Sequence, residues 1–497
     1  MFQGDVSGTG KGAGSGSSGA GHGGRGGRGS TQSTTGAFYG DVFWPKTFGS
    51  TGGGGQTPGG GVIHFISTSM KVDGSIEVNG KSASLSSSNG GGSGGSILLD
   101  VDTIIGTGSI LANGGSGGTS GGGGGSGGRI AIHSNVYSFS GVCAAYGGDS
   151  SVEVGAAGTI LKLKKQNNYR LLEVNNKGRS PNLQLISDFS RLSIDSARTW
   201  LPLTTWNNTR VKIPNVDMPL SVHQGYMFDE LKLSGSAHLA IEPHPSLLQF
   251  HVFDKIIGDF AGNSYGHLHI GPKQFVSISL ADYYIPMSFL VYSSGYLKLP
   301  PRVMLHRNSL VLNGYLLGIK ELTISNCSMK LGSSAAALTL GRFKTRYFKF
   351  DSVFIMNGGL LRMNDTYEQY ILESKNVHVL SGGLIIARNL ALVSSMVTVD
   401  ESGLISLAGQ GLPCRSISSS YSGAGGSHAG YGEPGPGRNS WKPFDSVFAP
   451  SEFGGAGVGL YGYSCKGGNG GGKLNMTITT KLQIQGTISA RYKFHMD

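Results

Sequence analysis

The stretch Gly94-Gly95-Ser96-Ile97-Leu98-Leu99-Asp100-Val101, continued by Gly108-Ser109-Ile110-Leu111-Ala112-Asn113-Gly114, alternates two kinds of text. Short apolar runs, too brief for a helix, stand between glycines. The same arrangement stands on both sides. Gly60-Gly61-Val62-Ile63 comes before it and Gly127-Gly128-Arg129-Ile130 after it, so Ile63, Ile97 and Ile130 are 34 and 33 residues apart. Gly158-Thr159-Ile160 is a weaker fourth copy. A second landmark keeps the same beat, from Gly74-Ser75-Ile76 to Gly108-Ser109-Ile110 to Gly141-Val142-Cys143. Each unit reads as two short strands and a glycine-serine return such as 114–128. One unit cannot bury its apolar side chains alone, whereas stacked copies can. The spacing therefore predicts an all-β fold, a parallel β-helix or solenoid with long Gly-rich loops, in which Ile97 lies between Ile63 and Ile130. On this reading the return 114–125 tolerates single serine substitutions.

The pattern divides the chain into four parts. Residues 1–58 are expected to form a Gly-rich loop region of a first large repeat, and 59–165 Gly-rich β-solenoid coils. Residues 166–400 are expected to form an aromatic-richer β-solenoid region of apolar strands paired across Gly turns, as in Val353-Phe354-Ile355 before Gly359 and Val377-His378-Val379 before Gly383. Residues 401–497 start a second copy of the large repeat. Phe448-Ala449-Pro450 matches Phe43-Trp44-Pro45, Gly471-Gly472-Lys473-Leu474 matches Gly60-Gly61-Val62-Ile63, and Gly486-Thr487-Ile488 matches Gly74-Ser75-Ile76. A repeat of about 400 residues that restarts this way is expected to belong to a longer tandem protein.

Composition agrees with a packed repeat. There are 85 glycines among 497 residues, and charged residues make up only 14% against 38% hydrophobic. That balance excludes a charge-rich disordered chain, and the irregular glycine spacing excludes collagen. The net charge of +11 favours acidic partners. No run of apolar residues is long enough to span a membrane. Met1 to Asp5 does not open a secretory leader.

The phrases Gly94-Gly95-Ser96-Ile97 through Gly114 and Gly124 to Ile132, with Ser18-Gly19-Ala20-Gly21-His22 upstream, resemble repeats of very large glycine-rich eukaryotic surface proteins, adhesin-like or matrix-like. The likeness covers roughly residues 14–165 and 401–490. It implies an extracellular or cell-surface, structural or adhesive role, and it brings no catalytic residues.

Motifs that carry chemistry elsewhere read weakly here. Gly80-Lys81-Ser82 ends like a phosphate loop but lacks the leading glycine and a following helix. Gly91-Gly92-Ser93-Gly94-Gly95 and Gly124-Gly125-Ser126-Gly127-Gly128 satisfy a hydrolase elbow only formally. Gly24-Arg25-Gly26-Gly27-Arg28 has too few arginines for an RNA-binding segment. His267-Leu268-His269 sets two imidazoles on one strand face without a third ligand. Asp100 and Asp102 share a face, as the carboxylates of polysaccharide lyases do. Cys414 and Cys465 are the candidate disulfide pair, while Cys143 and Cys327 lie in strand-like runs and read as buried thiols. Sequons mark Asn207, Asn326, Asn364 and Asn475 for glycosylation. The reading is a non-enzymatic scaffold segment with no catalytic residue, cofactor or metal. Its partners are acidic glycans or other matrix proteins, with no specific nucleic acid. The alternatives are a β-helix carbohydrate-active enzyme and a glycine-rich RNA-associated protein.

Overall fold

The computed structural model describes residues 12–31, 34–180, 198–202, 225–243, 247–258, 266–279, 284–331, 338–340, 343–363, 368–411, 443, 445–446, 452–456 and 469–491. These residues form strands and turns with no helix. Two compact units divide the chain: residues 1–282, 286–300 and 314–317, and residues 283–285, 301–313 and 318–497.

In the first unit the apolar runs pair where the spacing places them. Strand Val62–Lys71 lies parallel to Ser96–Gly106, and Ser96–Gly106 to Arg129–Ser134. Ile97 is opposite Ile63 on one side and Ile130 on the other, and both Ile97 and Ile130 are fully buried. A small second sheet, Ser75–Glu77, Ser109–Leu111 and Val142–Ala144, closes over this ladder and buries Ile110. Side-chain hydrogen bonds repeat at the same interval: Asn79 Oδ1 accepts from the Asn113 N–H, and Asn113 Oδ1 from the Tyr146 N–H, each at 2.8 Å. Further along, His238–Ile241, His267–Ile270 and Ser288–Val291 make a parallel ladder of their own.

The second unit has two sheets of the same kind. Phe343–Met356, Glu368–Val379, Asn389–Val399 and Lys473–Ile484 run parallel in sequence, with Val353, Val377 and Val397 in one buried row. Leu360–Met363, Leu384–Ala387, Leu404–Ser406 and Thr487–Ser489 form the other. A turn occupies every step between them. Where glycine is missing, Asn326 takes its place at φ 46°, a left-handed conformation that asparagine tolerates.

The expected parallel β-helix or solenoid with glycine-rich loops is corrected on two counts. First, the sheets are mixed and open. Thr159–Lys164 and Tyr169–Asn175 form an antiparallel hairpin inside the first sheet, and Leu338–Leu340 pairs antiparallel with Phe343–Met356. Among the described residues each sheet runs from one edge strand to another without closing. The first reversal has a local cause: Asn168, at φ 55°, turns the chain back on itself after Lys164.

Second, the glycine-rich segments at 17–29, 90–95 and 121–128 are not loops. They are extended chains packed against one another in the interior. The N–H of Gly91 donates to Gly123 O at 2.9 Å, that of Gly123 to Ser17 O at 2.8 Å, and that of Gly27 to Gly124 O at 2.8 Å. Gly124 in turn donates to Glu153 O and Gly115 to Gly92 O. A Cβ on Gly91, Gly114, Gly125 or Gly127 would collide with a backbone carbonyl of the next segment. Crowding of this kind also reserves the collagen axis for glycine.

The return 114–125 therefore does not tolerate serine freely, because its neighbours are backbone atoms that cannot move aside. Gly125→Ser is expected to lower stability by roughly 2 kcal/mol. Gly61→Ser, where nothing lies within 4 Å of the added Cβ, should stay within about 0.5 kcal/mol of the parent. Denaturant titration of the two variants at dilute protein checks this. Equal midpoints would contradict the packing.

Candidate functional site: a basic aromatic groove and a buried histidine chain

The hairpin that breaks the parallel order also opens a groove. Strand Val136–Phe139 pairs with Thr103–Gly106 on one side. On its other side the chain has turned away at Lys164, leaving a space of about 490 Å³ lined in part by Tyr137, Lys162, Lys164, Gln166 and Tyr169. Val136 and Tyr137 are 48% and 36% exposed. The Lys162 ammonium stands over the Tyr137 ring at 4.8 Å, a cation–π contact, and 3.7 Å from the Glu173 carboxylate. Burial pulls the Lys162 ammonium down, and the nearby phenol, carboxylate and thiol outweigh it, so it is held above its ordinary value. The Tyr169 hydroxyl donates to Asp254 at 2.9 Å, and burial followed by the acidic neighbours pushes its pKa up.

Beside the groove, Lys165 joins the two aspartates. Its ammonium is 2.6 Å from Asp100 and 3.3 Å from Asp102, and Asn135 donates to Asp102 at 3.2 Å. Burial lowers the Lys165 pKa, and the bonds and charges of both carboxylates more than reverse that. One ammonium thus pairs with both carboxylates of the face. Among the described residues no cluster of three or more His, Cys, Asp or Glu could hold a metal ion.

The pair His267 and His269 lies on one strand face but belongs to a buried hydrogen-bonded chain. Arg198 donates to the Tyr292 hydroxyl at 3.2 Å, Tyr292 meets His269 Nδ1 at 3.0 Å, and His269 Nε2 meets His238 Nδ1 at 2.8 Å. His267 stacks on His238 with ring centroids 4.4 Å apart. Arg198, His238, His269 and Tyr292 are each no more than 3% exposed. In the direction Arg198 to Tyr292 to His269 to His238, a neutral His269 accepts at Nδ1 from Tyr292 and donates from Nε2 to His238 Nδ1, where the chain ends. Burial, then neighbouring charge, drives His238 and His269 well below the ordinary histidine range, and burial lowers His267 to about 4.

A fourth buried imidazole sits in the glycine block. His22 donates from Nδ1 to Gly94 O at 2.7 Å and accepts at Nε2 from Thr47 at 2.8 Å. Burial, then the Arg129 charge, lowers it to about 3. Arg129, fully buried, fans onto Tyr39 O, Thr159 and His22 O.

The remaining sequence motifs are placed as follows. Ser93 and Ser126 are fully buried in the glycine block, with the Ser93 hydroxyl accepting from the Ser50 N–H. Arg25 is 9% exposed and bonds to Thr35. Lys81 and Ser82 are exposed and precede no helix. Cys143 and Cys327 are free, half-buried thiols whose pKa values burial raises to about 12 and about 11. Asn326 and Asn475 are exposed. Cys414, Cys465, Asn207 and Asn364 lie outside the described residues. The groove itself was not legible in sequence, because Tyr137 and Lys162 meet only through strand pairing. Among the described residues no helix is long and apolar enough to cross a membrane. No family model matches the chain, and no curated protein or solved structure matches it.

The buried histidines fix the sign of a pH effect. Their folded pKa values lie below the unfolded value near 6.5, so the unfolded chain binds more protons between that value and about 3 to 4. Stability is therefore full above pH 7 and falls as acid is added through this window, by up to about 1.4 kcal/mol per pH unit for each histidine. Urea titrations at pH 7 and pH 5 measure it. A chain equally stable or more stable at pH 5 would contradict the assignment.

Proposed function

We propose that the chain is a non-enzymatic structural or adhesive scaffold segment of an extracellular repeat protein, and that the groove beside the hairpin takes an acidic glycan. The interlocked glycine block carries the first part. Extended chains hydrogen-bonded to neighbours on several sides suit a load-bearing element, and the lysine between Asp100 and Asp102 is locked to both carboxylates. The groove supports the second part. Ring faces of Tyr137 and Tyr169 suit the apolar face of a sugar, and Lys162 and Lys164 supply positive charge for a carboxylate or sulfate. The overall charge of +11 acts in the same direction.

Retention of the full chain on an immobilised acidic polysaccharide tests the ligand class. Tyr137→Ala and Lys162→Ala are each expected to shift elution to lower salt, with little retention on a neutral polysaccharide. Retention unchanged by both substitutions would remove the groove from the account. Antibody labelling of intact against permeabilised cells tests the location, and signal confined to permeabilised cells would overturn the scaffold reading.

A further inference from the structure

Of three glycines with nothing within 4 Å of an added Cβ, Gly55 needs its left-handed φ of 73°, but Gly61 and Gly74 have no conformational need to be glycine. In the stacked repeats, a Cβ on Gly95, Gly128 or Gly158 would strike the carbonyl of the equivalent glycine one repeat earlier, and a Cβ on Gly108 or Gly141 would do the same. Gly61 and Gly74 occupy these two positions in the first repeat, and nothing lies within 4 Å of a Cβ built on either. Their counterparts in the second copy of the large repeat are covered: a Cβ on Gly472 would come 2.6 Å from Arg388 O, and one on Gly486 would strike the Asp400 carbonyl. The first repeat is thus shaped to lie against a strand layer that, among the described residues, is missing. Its strand Val62–Lys71 has no partner on its outer edge among them, and Phe65 and Ile66 are 44% and 75% exposed.

A matching edge stands at the other end of the second unit. Lys473–Ile484 pairs with Asn389–Val399 on one side only among the described residues, and Leu482 and Ile484 are each 47% exposed. This strand is the second copy of Val62–Lys71. Its one extra residue is taken up by a bulge opposite Ser394 and Met396. The layer that seats on such a strand is already visible inside the chain, where Ser96–Gly106 pairs parallel with Val62–Lys71.

We propose that the chain associates head to tail with a second copy of itself. The Lys473–Ile484 edge of one copy pairs in parallel with the Val62–Lys71 edge of the next. Leu474 then stands over Ile63 and Met476 over Phe65, as Ile63 and Phe65 stand over Ile97 and Leu99 within one chain. Gly472 and Gly486 supply the carbonyls that Gly61 and Gly74 lack. Pairing two identical edges about a twofold axis would make them antiparallel and would lose this register. Lys473 and Lys481 fall opposite Val62 and Ser69, so no like charges meet. The contact is heterologous, and assembly continues past the dimer. This deepens the scaffold reading by naming its partner.

Analytical ultracentrifugation of the full chain over a wide concentration range tests it. The parent is expected to sediment faster as concentration rises, beyond the dimer. Gly61→Val with Gly74→Val adds side chains into open space, so at concentrations where the parent is monomeric the thermal midpoint stays unchanged, while assembly at higher concentration is lost. Ile484→Lys blocks the opposite edge, and mixing it with the glycine double variant should give one heterodimer and nothing larger. A parent that stays monomeric, stops at a dimer, or assembles equally well with both glycines replaced would overturn the proposal. A monomeric chain that still labels intact cells would remove the self-association and leave the scaffold reading in place.

Discussion

The constraint on which the first unit depends is the distance between backbones. Extended chains in the glycine block approach until the Cα of one touches the carbonyl of the next, and only hydrogen fits in the remaining space. Backbone hydrogen bonds then satisfy amides that would be costly to bury unpaired. With no side chains to pack, dispersion and hydrogen bonding between backbones do the work that leucine and isoleucine do in an ordinary core. The apolar ladder of Ile97, Ile130 and their neighbours adds a second, conventional core beside this one.

Two large polar groups inside the block bond to several of its segments at once. These are His22 and Arg129, one bridging Gly94 O and Thr47, the other spanning Tyr39, Thr159 and His22. They tie together segments far apart in sequence and keep the glycine chains from sliding. The chain from Arg198 through Tyr292 and His269 to His238 links buried polar groups in a second place. Low pKa values there follow from burial and describe structural imidazoles.

Much of the strand pattern was legible because period and register are the same fact. Spacings of 34 and 33 residues placed Ile97 between Ile63 and Ile130, and the phrases Val353-Phe354-Ile355 and Val377-His378-Val379 before Gly359 and Gly383 fell into one row. The failures have physical reasons. Glycine-serine text looks like loop because its composition carries no apolar period, and nothing local reveals that each segment finds others at backbone distance. The parallel order failed at Gln166-Asn167-Asn168, a turn signal that reverses the strand and was read as a region boundary. The groove followed from that reversal. His238 and Arg198 gave no sequence signal, being drawn together with His267-Leu268-His269 only by strand pairing.

Native-state hydrogen exchange of the glycine amides in 90–95 and 114–128 tests the central claim most directly. Amides packed and bonded as Gly91, Gly123, Gly125 and Gly127 are here exchange only when the unit opens as a whole. The account predicts protection equal to that of Ile97 and Ile130. Exchange at the rate of an exposed chain, with the isoleucine amides still protected, would show these segments to be loops and would contradict it.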